Sequence, residues 1–343
     1  MAITKVTTAV TDFNSATESG LKLPSGTNGN RPTGVQGMLR NDTDEDGDAG
    51  ALSALEHYNG TAWKTFIASA SPDVIPLVVN YLVVAGGGAG QGRRGGGGGA
   101  GGLIATTAYG GSNNAITISP SNYTFAVSVG SGAIGVQGST QSFAATGNNS
   151  TIAPAGSSLL TYGGGGGGAS VLQGRPGGSG GGGGNGGGSY NNQGGGILDL
   201  NAECSPGGRS PTFQDAGGGG GATGPNPAGL FNLGASGLVS NITGASATYA
   251  VGGRGGYVGQ GSGNGIPAAN NTGSGGSGMY DGYLVGGNTA GSGGHGIIIF
   301  RYSNDYTASS TLTFTESPLS GTTDRVIIIT GVGSGTITFS LTP

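Results

Sequence analysis

Residues 177–188 read GGSGGGGGNGGG, and ten of these twelve have no side chain. Side chains usually carry cores, catalysis and recognition. Such a stretch is therefore either a linker or a place where the backbone itself is the building material. Similar runs recur at 95–99, 163–168, 194–196 and 217–221. A flexible linker joins domains once or twice. Here the runs recur through the middle of the chain, punctuated by Tyr, Leu, Val and Ile that favour burial. No Gly-X-Y period accompanies them and the chain has only 14 Pro, which excludes collagen.

The backbone accounting favours the second reading. Ordering glycine is entropically expensive, and buried N–H and C=O groups must be paired. An extended helix with three residues per turn makes no internal hydrogen bonds. In glycine each residue of such a helix keeps a donor that no Cβ shields, so neighbouring rods can hydrogen-bond to one another. A run of five or six glycines would span ~16–19 Å at ~3.1 Å per residue. The expectation is a packed array of polyglycine II helices with the intervening residues as loops at its ends.

Composition bounds the rest. Gly supplies 83 of 343 residues and charged residues only 8%, against averages of about 7% and 25%. The single cysteine, Cys204, excludes an intrachain disulfide framework and a multi-cysteine zinc site. The first twenty residues lack a secretory apolar run. No stretch approaches ~18 consecutive apolar residues, so no membrane insertion is expected. A net charge of −4 with scattered arginines gives no footprint for nucleic acid.

Composition also divides the chain. Residues 1–73 hold nine acids and five bases; residues 74–300 hold four acids and five bases. The first segment is broken by Gly and Pro every few residues, and LEHYNGTAWKTF reads as two short strands around Asn59-Gly60. The middle opens with VIPLVVNYLVVA (74–85) and closes with GIIIFRY (296–302), with NAITISPSNYTFAVSVG, SSLLTY and ATYAV between. NYTFAVSVG alternates with period two, and no long helical periodicity occurs. The C-terminal segment continues in β-like pieces, TLTFTESP, DRVIIIT and GTITFSL. The expected fold class is all-β: sandwich-like strands combined with packed polyglycine II helices. Short β modules are expected at both ends, giving domains 1–73, 74–302 and 303–343.

Catalytic motifs fail on context. Gly90-x-Gly92-x-x-Gly95 follows an apolar strand, but more glycine follows it, and no acid occurs before Asp199. A dinucleotide site needs a helix N-terminus there and an acidic residue about 20 positions on. Gly177-x-Ser179-x-Gly181 has glycine on both sides where a nucleophile elbow needs a strand and a helix. Only His57 and His295 could act as imidazole bases, and paired carboxylates for glycoside cleavage would have to come from a few scattered acids. No enzyme activity and no organic cofactor are expected. Asp42, Asp44, Asp46 and Asp48 form the first half of a D-x-D-x-D-G calcium loop, but its twelfth position is Ser53 rather than Glu; calcium and a solvated acidic hairpin tip both remain open.

Binding through loops on a firm scaffold is what is left. Candidate contacts are Arg93 and Arg94, Tyr190, Asn191 and Asn192, Phe213, Tyr257, and Tyr280 with Tyr283. Aromatic rings stack on sugars or apolar patches, while Asn and Arg supply hydrogen bonds. The alternative for each tyrosine is a plug packed between scaffold layers.

Two stretches resemble phage tail-fibre proteins, especially those of marine and cyanobacterial phages. SGLKLPSGTNGNRPTGVQGMLRND…LEHYNGTAW resembles their short N-terminal module through Leu21, Pro24, Gly26, Arg31, Pro32, Gly37, Arg40, Asn41, Tyr58, Gly60 and Trp63. It departs from that pattern by the insertion DTDEDGDAGALSAL. YLVVAGGGAG…TYGGGGGGAS…GSGGHGIIIFRY resembles their glycine-rich domain, with His295 in place of a usual small residue. The resemblance implies β-structure with polyglycine II helices and a homotrimer. It implies an N-terminal module joined to other tail or capsid proteins, and loops that recognise a host surface glycan or outer-membrane protein. The expected location is the virion, reached without a leader because lysis releases it. A structural virion component that binds no receptor (a head fibre, decoration or fibre segment) is the second expectation. A secreted bacterial glycine-rich surface protein is the third.

Overall fold

The computed structural model describes residues 23–42, 54–66, 77–118, 123–135, 137, 142–154, 158–169, 171–185, 192–210, 215–224, 232–257, 263–279 and 288–342. The chain divides into two units, residues 1–75 and 76–343.

The N-terminal unit holds strands β1 (Ser25–Gly26), β2 (Leu39–Asp42), β3 (Ala54–Tyr58) and β4 (Trp63–Phe66), paired in that order. β3 and β4 form the hairpin expected around Asn59-Gly60. Asn59 Oδ1 accepts the N–H of Thr61 and of Ala62, each at 2.9 Å, and Gly60 adopts φ 103°. Among the described residues an ion cluster is buried between these strands. Glu56 is fully buried and pairs with Arg31 and with Arg40 (Nε to Oε2, 3.3 Å). Arg40 also donates to the carbonyls of Gly26 and Thr27, and its guanidinium lies 5.8 Å from the Trp63 ring centre. Trp63 meets Tyr58 edge-on and donates to the Pro32 carbonyl. A buried carboxylate held by two guanidiniums resists loss of any one member, because the remaining charge would be left unpaired.

The larger unit contains β5 (Leu77–Val84), β6 (Leu103–Ala105), β7 (Ile116–Ile118), β8 (Thr124–Val129), β9 (Ser150–Ala153), β10 (Leu159–Thr161), β11 (Leu238–Ser240), β12 (Ala247–Tyr249), β13 (Ile297–Ser303), β14 (Tyr306–Ser310), β15 (Phe314–Pro318), β16 (Asp324–Ile329) and β17 (Gly333–Leu341). One sheet runs β10-β9-β8-β17-β14, the other β15-β16-β13-β5-β6 with β7 also on β5. Both sheets contribute to one core, through Val79, Tyr81, Val83, Phe125, Ile298, Phe300, Ile327 and Phe339 among others. The second face of the β5-containing sheet carries Leu82, Val84, Ile297, Ile299 and Val326, covered by Leu238, Ile242 and Tyr249 of the β11–β12 hairpin. This explains the unbroken apolar runs. LVVNYLVV alternates over its first half, where Val78 is exposed, and is buried on both faces over Tyr81–Val84.

The C-terminal segment 303–343 is not the separate β module expected from its composition. β16 pairs with β13 and β15, and β17 lies between β8 and β14 in the first sheet. Each lone hairpin would leave an apolar face in water, and the sandwich buries both.

The glycine segments continue from these strands. Segment 86–91 leaves β5 and segment 95–102 returns to β6; segments 130–135, 142–149, 162–169, 250–256 and 290–296 likewise abut β8, β9, β10, β12 and β13. Donors three residues apart share a neighbour. The N–H groups of Ala85, Gly88 and Gln91 donate to the carbonyls of Gly102, Gly99 and Gly96. Those of Gly86 and Ala89 donate to Asn148 and Ala145, and those of Gly87 and Gly90 to Gly294 and Gly291. A β-strand pairs on two sides; these segments pair on three or more.

Segment 95–102 is the centre. Its own N–H groups donate to 162–168, 217–220 and 273–279, and its carbonyls accept from 85–91, 179–182 and 253–256. Those six segments also bond to one another in a closed ring, for example Gly164 to Gly86, Gly165 to Ser179, Gly217 to Gly183, Ala216 to Gly256, Gly275 to Val251 and Gly276 to Gly88, all at 2.7–2.9 Å. A Cβ on almost any of these glycines would lie under 3.0 Å from a neighbour's backbone carbonyl.

Candidate functional site at the distal end of the glycine layer

The pairing registers give the glycine layer two ends. At one end every strand-linked segment meets the sheets. At the other the chain turns back, first through residues 92–94 between the two central segments. Arg93 and Arg94 both adopt left-handed backbone, φ 50° and 55°, a conformation that costs non-glycine residues roughly 1–2 kcal/mol. The turn is held from several sides. Asn185 N–H donates to the Arg94 carbonyl at 2.9 Å, Gly95 N–H to the Met279 carbonyl, and the buried Gln91 side chain to the Ser142 carbonyl while accepting from Gly92 N–H. Strain held by surrounding structure is common at functional positions.

The same registers bring other candidates here. Segment 250–256 runs towards this end, with Gly256 donating to Gly95, and delivers Tyr257. The Tyr257 ring lies 4.0 Å from the Arg254 guanidinium, and its backbone bridges that of Asp215. Asn192 also stands at this end, but as part of the scaffold. It is 6% exposed and its amide donates to the Gly184 carbonyl at 2.6 Å, so the expectation of a surface contact gives way to a packing role. Tyr190, Asn191, Phe213, Tyr280 and Tyr283 lie outside the described residues. The described residues that flank them in sequence (Asn185 and Asn192, Ser210 and Asp215, Met279) are all at the distal end.

The motifs set aside on sequence grounds sit in the layer as backbone. Gly90–Gly95 forms the central turn, and no α-helix occurs among the described residues. Ser179 is fully buried and donates to the Gly221 carbonyl at 3.2 Å. Cys204 donates to the Asp199 carbonyl, and burial, with Asp199 and Glu203 nearby, pushes its thiol up to about 11. His295 Nδ1 accepts the Gly132 N–H at 3.0 Å, next to the sheets. Of the candidate calcium ligands, Asp42 ends β2, and Asp44, Asp46 and Asp48 lie outside the described residues. Among the described residues no group of three or more His, Cys, Asp or Glu could hold a metal ion.

A family model for a glycine-rich domain matches residues 61–303. The chain belongs to that glycine-rich domain family. The matched glycine-rich domain takes in the whole glycine layer and ends with β13. Strands β14–β17 therefore lie beyond it in sequence while completing its sheets. Neither the curated proteins nor the solved structures include a match to this chain.

Sequence reasoning missed Arg209 and Arg254 as members of the distal region, and Arg175 a few residues below it. Arg254 and Tyr257 stand three positions apart, the same interval at which donors share a neighbour, and that spacing is the one signal in the sequence that pairs them.

Proposed function

We propose that the chain is a phage fibre adhesin whose glycine segments are polyglycine II helices in a hexagonal packing, and whose distal loops meet a host-cell surface receptor. The three-residue recurrence of hydrogen-bond partners and the closed ring around segment 95–102 support the helix reading, since a helix with three residues per turn presents donors in three directions. The observation that carries the functional reading is the gathering of Arg254 and Tyr257 with Arg93 and Arg94, the last two on a strained turn, at the end away from the sheets. Rigid support for exposed loops is how binding surfaces are built. In this reading the N-terminal unit joins the virion, and the chain works as a homotrimer.

The test is adsorption competition: purified protein is added to host cells and free phage are counted. Inhibition is expected. No inhibition by a folded protein would overturn the receptor role and leave a structural virion component in its place.

A further inference from the structure

Charge is sorted along the glycine layer. Between residues 86 and 296 the chain has five arginines, no lysine and four carboxylates, spread over two hundred positions. The fold puts two of the carboxylates at the sheet end and most of the arginines at the other. Glu203 bridges Leu103, the first residue of β6, and the buried Asp199 carboxylate lies beside Gly102. Both are at the sheet end. Arg93 and Arg94 form the central distal turn. Arg254 is two residues from Gly256, which donates to Gly95. Arg209 follows Gly208, which accepts from Gly183, and precedes Ser210, which donates to Asn192. Arg175 stands a few residues lower, where its carbonyl accepts from Gly181, and stacks over the exposed Phe143 ring at 5.2 Å. Arg175, Arg209 and Arg254 are exposed. The carboxylate described at this end is Asp215; Asp281 lies outside the described residues.

We infer that the distal end binds an anionic glycan, a surface polysaccharide bearing carboxylate or phosphate groups. The inference rests on reading this end as the receptor-facing surface. A planar guanidinium matches carboxylate and phosphate oxygens two at a time. Backed by an aromatic ring, as Arg254 is by Tyr257 and Arg175 by Phe143, it is held in one plane next to an apolar face on which a sugar ring can lie. The chain as a whole carries −4, so attraction is local. At physiological salt it reaches only about 8 Å, which confines it to this end. Spacing selects the polymer. Paired segments are on the order of 5 Å apart, so Arg254 stands about one segment and Arg209 about two from the central turn. That interval suits a chain with an acidic group every sugar or two. Duplex DNA, with a charge every ~1.7 Å, would leave most phosphates unmatched.

The experiment measures binding of the full chain to polygalacturonate, poly(glycerol phosphate), neutral dextran and a DNA duplex, at low and physiological salt. The variants are Arg254→Gln alone, Arg93→Gln with Arg94→Gln and Arg254→Gln, and Lys64→Gln as a control in the other unit. The two acidic polymers bind and dextran does not; the triple variant binds them at least about tenfold more weakly at an unchanged melting temperature, and Lys64→Gln binds as wild type. A preference between the two acidic polymers names the group recognised. Equal binding of dextran, an unaffected triple variant, or DNA binding as tight as the glycans would overturn the inference. Adsorption competition that survives the arginine replacements overturns this inference alone. Polymer binding without any competition overturns the receptor role alone.

Discussion

Gly98 occupies a place where only hydrogen fits. A Cβ there would lie under 3.0 Å from the backbone of Gly88 and Ala89, and backbone cannot swing aside as a flexible side chain can. Gly98→Ala should destabilise the larger unit by on the order of 3 kcal/mol, a fall in melting temperature of roughly 6–12 °C. Gly196 is the control. It is exposed, and a Cβ there meets nothing within 4 Å. Gly196→Ala should change stability by about 0.5 kcal/mol or less. Thermal melts of the two variants check this, and equal melting temperatures would mean that the central glycines are not packed. Composition alone does not separate these two glycines; both are single letters in runs of the same letter.

At the scale of elements, the turn at residues 92–94 sets function against stability. Replacing Arg93 and Arg94 by glycine relieves two left-handed side-chain conformations, so the melting temperature should hold or rise by a few degrees, about 1 kcal/mol in all. Binding at the distal end should fall in the same protein. A loss of both stability and binding would make the arginines structural.

β17 supplies a second element-scale prediction. It lies between β8 and β14 and buries Ile337 and Phe339 in the shared core. A chain ending at Thr330 should lose the cooperative transition of the larger unit in calorimetry, whereas a detachable module would leave it unchanged. β15 carries the third. Its Glu316 accepts from Tyr302 Oη at 2.6 Å, from Arg325 Nε at 3.0 Å and from the Ala308 N–H at 3.0 Å, and so ties β15 to strands of both sheets. Burial is the strongest single influence and opposes ionisation. The hydrogen bonds from Arg325, Tyr302 and Ala308 together outweigh it and hold the carboxyl below its ordinary value of 4.5. A folded value below the unfolded one gives stability that is fully present above pH about 4.5 and is lost as pH falls through the folded value. Melting temperature should therefore drop on acidification below that point, and Glu316→Gln should be less stable at neutral pH with a flatter acid limb.

On the scale of the whole molecule, the two units differ in what holds them. The N-terminal unit depends on the Arg31–Glu56–Arg40 cluster and Trp63. The larger unit depends on a two-sheet core continued by a backbone-bonded glycine layer. Its sheets occupy one end, and its strained turn with Arg93 and Arg94, Arg254 and Tyr257 the other.

Much of the fold was legible in the sequence because it is written in local chemistry. Period-two alternation in TFAVSV, β-branched runs in LVVNYLVV and DRVIII, and the Asn59-Gly60 turn each specify a strand or hairpin without knowledge of partners. The recurrence of glycine argued for backbone packing, because a linker has no reason to recur. The sequence could not say which glycines are packed, that segment 303–343 belongs to the sandwich, that Asn192 is buried, or that arginines at 93, 94, 209 and 254 share one end. Those are properties of pairing between residues far apart in the chain. Local preference determined the elements; long-range hydrogen-bond register, which no single segment carries, decided which of their ends and side chains came together.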